Sequence, residues 1–124
     1  MKKEVYISIG SNTPNGAVNI ENAFEFIKKN FENVACSQIY STPSVTIGDN
    51  SIYFNAVARC LSDDIDDINQ ELKSYEINCG RVKGSKNVVI DLDVVVADNE
   101  VLRPRDFDRE YFKIGYFQLL ESNI

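Results

Sequence analysis

Apolar and polar residues alternate over residues 4–9, with Val5, Ile7 and Ile9 on one side and Tyr6 and Ser8 on the other. That two-residue period predicts a half-buried strand. The run Gly10-Ser11-Asn12-Thr13-Pro14-Asn15-Gly16 breaks it with turn-forming residues. Ile20, Ala23, Phe24, Ile27 and Phe31 then fall on one helical stripe, with Lys28 and Lys29 where cations suit the helix C-terminus. Residues 33–41 read as a second strand. A loop holding Pro43, Gly48, Asp49 and Asn50 leads to a third at 53–61, rich in β-branched and aromatic side chains. Ser62 is the expected N-cap of a second helix, whose first turn gathers Asp63, Asp64, Asp66 and Asp67 and whose stripe is Ile65, Ile68, Leu72 and Tyr75. A dipole-matched helix start explains that acidic run better than a metal site does. Gly80 ends the helix, 88–97 is a fourth strand, 99–102 a short pairing segment and 112–120 a short helix. The order βαββαβ predicts an α/β (α+β) fold of ferredoxin-like type: one antiparallel sheet, both main helices on one face, the other face open to a ligand.

Composition narrows the chemistry more than the architecture. The 124 residues suit one domain, 1–124, and contain neither His nor Trp. Without His there is no Ser-His-Asp or Cys-His nucleophile, no HExxH zinc site and no imidazole shuttle. A formal charge of -6 argues against a nucleic-acid-binding face, which needs cations to displace counterions. It leaves room for a local basic cluster that binds one small anion. Cys36, Cys60 and Cys79 form no CxxC pair and suit a reducing compartment as small buried hydrophobes. The apolar N-terminal stretch is too short and too polar for a signal peptide or membrane span. The expectation is therefore a cytoplasmic monomer with no nucleic-acid or membrane partner.

The fourth strand carries the least ordinary pattern. Val88, Ile90, Leu92, Val94 and Val96 should share one face, with Val89, Asp91, Asp93, Val95 and Ala97 on the other. Two carboxylates two residues apart on one face lie roughly 7 Å apart at the backbone and need a positive partner. A divalent cation such as Mg²⁺ is one candidate; an ion pair with Arg59 or Arg81 is the other. Tyr53 and Asn55 share a face of the third strand, an aromatic plate beside an amide. The pair suits a flat heterocycle, and equally an ordinary sheet surface. Gly80-Arg81-Val82-Lys83-Gly84-Ser85-Lys86 places three cations just before the aspartates, able to face a phosphate chain or simply water.

Tyr6-Ile7-Ser8-Ile9-Gly10-Ser11-Asn12, Tyr40-Ser41-Thr42-Pro43, Tyr53-Phe54-Asn55-Ala56, Glu76 before Gly80-Arg81, and Ile90-Asp91-Leu92-Asp93 stand in sequence from Tyr6 to about Leu120. Their order and spacing resemble the 6-hydroxymethyl-7,8-dihydropterin pyrophosphokinases of folate synthesis. The resemblance implies a ferredoxin-like domain that transfers pyrophosphate from ATP, as co-substrate, to a dihydropterin hydroxymethyl group and releases AMP. It implies that Asp91 and Asp93 hold Mg²⁺ and that Thr42, Pro43 and Val45 line the pterin slot. Tyr53 would pack near the pterin, Asn55 would hydrogen-bond it, and Tyr116 would stand where the family stacks a Phe. Glu76 would lie by the adenosine, while Arg81, Lys83 and Arg103 would reach the phosphates. No covalent intermediate is needed, because positioning and charge neutralisation suffice.

On the nucleotide side the chain departs from that family pattern. The loop before Asp91 is shorter and lacks a Trp and a second Arg; Val88 stands at that Arg position and Lys86 is nearest. Lys83 replaces an Arg, a Pro-His step is missing from 103–109, and Ile114 takes the place of an Arg, with Arg103 and Arg105 in the region from which they would compensate. Besides a working pyrophosphokinase, the sequence therefore admits a pterin-binding homologue with little or no transfer. A ferredoxin-like interaction module whose aspartates face arginines is the third reading.

Overall fold

A computed structural model describes residues 2–122; the expected domain, 1–124, also includes Met1, Asn123 and Ile124, which lie outside the described residues. The elements are β1 (Lys3–Ser11), α1 (Gly16–Asn30), β2 (Glu32–Cys36), β3 (Tyr40–Pro43), β4 (Ile52–Ser62), α2 (Ile65–Asn78), β5 (Asp91–Ala97), β6 (Glu100–Val101), α3 (Pro104–Phe107) and α4 (Glu110–Glu121). The sheet runs β2-β4-β1-β5-β6, every pairing antiparallel, with β3 beside β4 on the same flank as β2. This is the expected α+β architecture of ferredoxin-like type.

The main core lies between the sheet and the helices α1 and α2. Val5, Ile7 and Ile9 of β1, Ala56, Ala58 and Cys60 of β4, and Leu92 and Val94 of β5 meet Ile20, Ala23 and Ile27 of α1 and Ile68 and Leu72 of α2, all buried. The opposite face is not left open as the sequence suggested. Helix α4 covers part of it, burying Phe112 and Leu119 against Tyr6, Val57, Val95 and Val96. The ligand-accessible region is what α4 leaves uncovered.

Four local departures from the sequence reading have physical causes. The expected 33–41 strand is two strands, because Ser37 turns inward and its hydroxyl accepts the Val57 N–H (2.9 Å) where a ladder carbonyl would otherwise stand. The second helix is capped by Asp64, whose carboxylate accepts the Asp67 N–H (3.1 Å); Ser62 is still in β4, paired with Lys3. The fourth strand begins at Asp91 rather than residue 88. Its lead-in is tied instead to the β1 turn: Asn12 N–H donates to the Val88 carbonyl (3.0 Å), Val88 N–H to Asn12 Oδ1 (2.6 Å), and Asn19 Nδ2 to the Val89 carbonyl (3.1 Å). Finally, a bulge shifts the β1–β5 register between Tyr6 and Ile7, so Val95 and Val96 both join the α4 side. The strict alternation predicted for Val96 and Ala97 therefore fails at the far end of β5 and holds at Asp91 and Asp93.

Candidate active site

On the α4 side, a row of paired residues crosses the sheet: Tyr40 opposite Asn55, Asn55 opposite Gly10, and Gly10 opposite Asp91. One step along, Asp93 lies opposite Ser8. Beyond the N-terminal end of α4, Ser8, Gly10, Asp91 and Asp93 floor a cavity of about 160 Å³. Its walls are Thr42, Pro43 and Val45 on the β3 side, Tyr53 and Asn55 on β4, and Asp106 and Tyr111 from the C-terminal segment. Antiparallel pairing thus brings together residues far apart in the chain, such as Ser8 and Asp93, which no local pattern reveals.

Each wall is positioned by named bonds. Asn55 is buried, and its Nδ2 donates to Thr42 Oγ1 (2.7 Å), leaving its carbonyl oxygen facing the Gly10 strand. Tyr111 donates its hydroxyl to Asp106, which also accepts from Arg103 Nε. Tyr40 links the segment to the sheet: its hydroxyl donates to the Tyr111 carbonyl (2.7 Å) and accepts the Gly115 N–H (3.0 Å).

Neither Arg59 nor Arg81 forms a direct ion pair with the aspartates. Arg59 lies against Glu4 (3.9 Å) and donates to the Leu119 carbonyl (3.2 Å). Lys73, from α2, takes the place instead: its ammonium is 3.0 Å from Asp93 Oδ1 and 3.9 Å from Asp91 Oδ1. It reaches them across the edge of β5, where no strand covers Leu92. The Leu92 N–H donates to buried Glu76 (2.6 Å) and the Leu92 carbonyl accepts from Lys73 (2.8 Å), so two helix side chains satisfy the open strand edge. Arg103 adds a longer contact to Asp93 (3.8 Å). Burial, then the charges of Asp93 and Glu76, push Asp91 up to about 6, against the pull of Lys73 and Arg81.

The sequence-selected residues divide clearly. Thr42, Pro43, Val45, Tyr53, Asn55, Asp91 and Asp93 line the cavity. Glu76 stands behind it, a buried support of β5, with Arg103 at its rim contacting Asp93. Arg81 leaves α2 through Gly80 (φ +94) with its N–H on the Glu76 carbonyl (3.0 Å) and its charge bearing on Asp91, while Lys83 is exposed in the following loop. Tyr116 is not in the cavity wall. Its ring packs edge-on against Tyr6 (centroids 4.8 Å) and stacks on Phe112 (5.1 Å), inside the α4 core. Sequence reasoning missed Lys73, Asp106 and Tyr111. Only the spacing of Lys73 and Glu76, neighbours on one helix face, offered a signal.

Mg²⁺ typically takes one or two carboxylates and completes its shell with water and substrate phosphates. Asp91 and Asp93 supply that donor set, and no group of three or more His, Cys, Asp or Glu positioned to hold a metal by itself occurs among the described residues. The residues fit such an ion, subject to displacement of Lys73 from Asp93.

An antiparallel α+β sheet with paired carboxylates on the floor of a small cavity defines a protein of ferredoxin-like type. The sequence model of the 7,8-dihydro-6-hydroxymethylpterin-pyrophosphokinase family matches residues 6–120, and the chain belongs to that family. No curated protein matches it. No helix among the described residues is long and apolar enough to cross a membrane.

Proposed function

We propose that this chain transfers a pyrophosphoryl group from ATP to the hydroxymethyl oxygen of 6-hydroxymethyl-7,8-dihydropterin, releasing AMP. The observation that carries the reading is the joint placement of Asp91 and Asp93 with Thr42, Pro43, Val45, Tyr53 and Asn55 around one cavity in a chain of this family. Asn55 and the β3 backbone hold the edge of a flat heterocycle, and Tyr53 and Pro43 pack on it. Tyr111, from the cavity wall, offers the aromatic face that Tyr116 does not. Asp91 and Asp93 would hold Mg²⁺, whose chemistry there would be neutralisation of phosphate charge. Arg81, Lys83 and Arg103 approach the polyphosphate from the loop and rim. Catalysis then rests on alignment of the hydroxyl with the β-phosphorus and on charge neutralisation, so a chain without His is sufficient.

Two observations favour a second reading, pterin binding without transfer: Lys83 is exposed, and Lys73 already pairs with Asp93. A single assay separates the two. Protein incubated with ATP, Mg²⁺ and the dihydropterin should form AMP, and Asp91→Ala or Asp93→Ala should lower the rate by about 10²-fold or more, the scale of losing one preorganised charge contact. Pterin binding without AMP selects the second reading. Binding of neither pterin nor nucleotide leaves only a non-enzymatic interaction module.

A further inference from the structure

The ammonium of Lys73 is saturated. Its three donors meet Leu92 O (2.8 Å), Glu76 Oε2 (2.9 Å) and Asp93 Oδ1 (3.0 Å), with Asp91 Oδ1 at 3.9 Å. All three acceptors are held in place: Glu76 and Asp93 are 8% and 16% exposed at the side chain, and Leu92 is a strand backbone. A positive charge is thus fixed by the fold beside both aspartates.

We propose that Lys73 is a tethered cation occupying a coordination place at the Asp91–Asp93 pair, so that a free divalent ion must compete with it for Asp93. This deepens the functional reading above and rests on its assignment of the aspartates as the cation site. An ion seated on Asp93 Oδ1 would lie within a few ångströms of the ammonium, and the two charges repel. Glu76 and the Leu92 carbonyl keep Lys73 from leaving, so the repulsion persists after Asp93 is taken. A polyphosphate supplies the missing negative charge and a second anion for Lys73. Divalent binding is therefore weak alone and strong with nucleotide.

Mn²⁺ titrations followed by the electron paramagnetic resonance of the free ion, without nucleotide, test this directly. Lys73→Gln removes the charge, retains a hydrogen bond to Glu76, and should bind Mn²⁺ about tenfold tighter than the wild type, as expected for deleting a like charge next to the ligand oxygen. Lys73→Arg should stay as weak as the wild type. Lys73→Gln combined with Asp93→Asn should lose the gain, which locates the ion. Lys73→Met carries the same expectation if the Gln variant does not fold, as judged by circular dichroism. Unchanged or weaker Mn²⁺ binding in the folded neutral variants overturns the proposal. AMP release by the wild type is scored separately: AMP with no gain in Mn²⁺ affinity refutes the competition alone, and a gain without AMP refutes the transfer reaction alone.

Discussion

The carboxyl of Asp91 sits at the cavity floor with Asp93 and Glu76 nearby, and burial together with those charges raises its pKa from the ordinary 3.8 to about 6. Between these two values the folded state keeps a proton that the unfolded chain has released. Stability therefore falls as pH rises through that window, and the full cost is present above about 6. Asp91→Asn, melted in the presence of a chelator, should have a higher Tm than the wild type at pH 8, with the gap closing near pH 4. A lower Tm at pH 8 would mean that the attraction of Lys73 and Arg81 outweighs burial. At this scale the aspartate pair was legible, because strand alternation and chemical type together mark it. Lys73 was not: a lysine on a helix surface reads as solvated, and only the open edge at Leu92 shows where its ammonium goes.

Helix α4 is held to the sheet at closest approach by Gly115. A Cβ there would lie 2.7 Å from Val57 Cγ2 and 2.9 Å from Val57 Cβ, which β4 fixes, and 2.9 Å from the Tyr40 hydroxyl. Gly115→Ala should thus cost about 1–3 kcal/mol by overpacking, read as a lower urea midpoint with unchanged m-value. The same shift strains the Tyr40 bonds to Gly115 and Tyr111, so pterin affinity should fall as well. The elements themselves were largely readable from periodicity, β4 almost to its ends. Where the reading failed, side chains had replaced backbone partners: Ser37 splitting the second strand, Asn12 Oδ1 accepting the Val88 N–H and Asn19 Nδ2 donating to the Val89 carbonyl ahead of β5, and Asp64 rather than Ser62 capping α2. Helix α3 is a single four-residue turn, too short for any helical period to reveal.

The molecule has a core on each side of its sheet, and the second is built largely from the C-terminal segment. Tyr6, Val57, Val95 and Val96 pack against Phe107, Tyr111, Phe112, Tyr116 and Leu119. A chain cut after Arg109 should lose cooperative unfolding and bind a hydrophobic dye such as ANS, since an uncovered apolar sheet face is unstable in water. A sharp melting transition near that of the full chain would show that the main core suffices. The sheet-face cavity owes its outline to the same helix. α4 closes part of the face, and Asp106 with Tyr111 forms a wall of the cavity, so the site lies on sheet that α4 leaves uncovered.

Local sequence determined most of the strands and the longer helices, the ferredoxin-like order, the aspartate pair and the exclusion of histidine chemistry, because each depends on residue type and on periods spanning a few positions. The tertiary structure alone decided which cation faces the aspartates, that Tyr111 rather than Tyr116 lines the cavity, and that the bulge in the β1–β5 register moves Val96 to the other core. Those outcomes depend on which strand edges remain open and how closely one helix approaches the sheet. Both are set by contacts between residues far apart in the chain, which a pattern of neighbours does not encode.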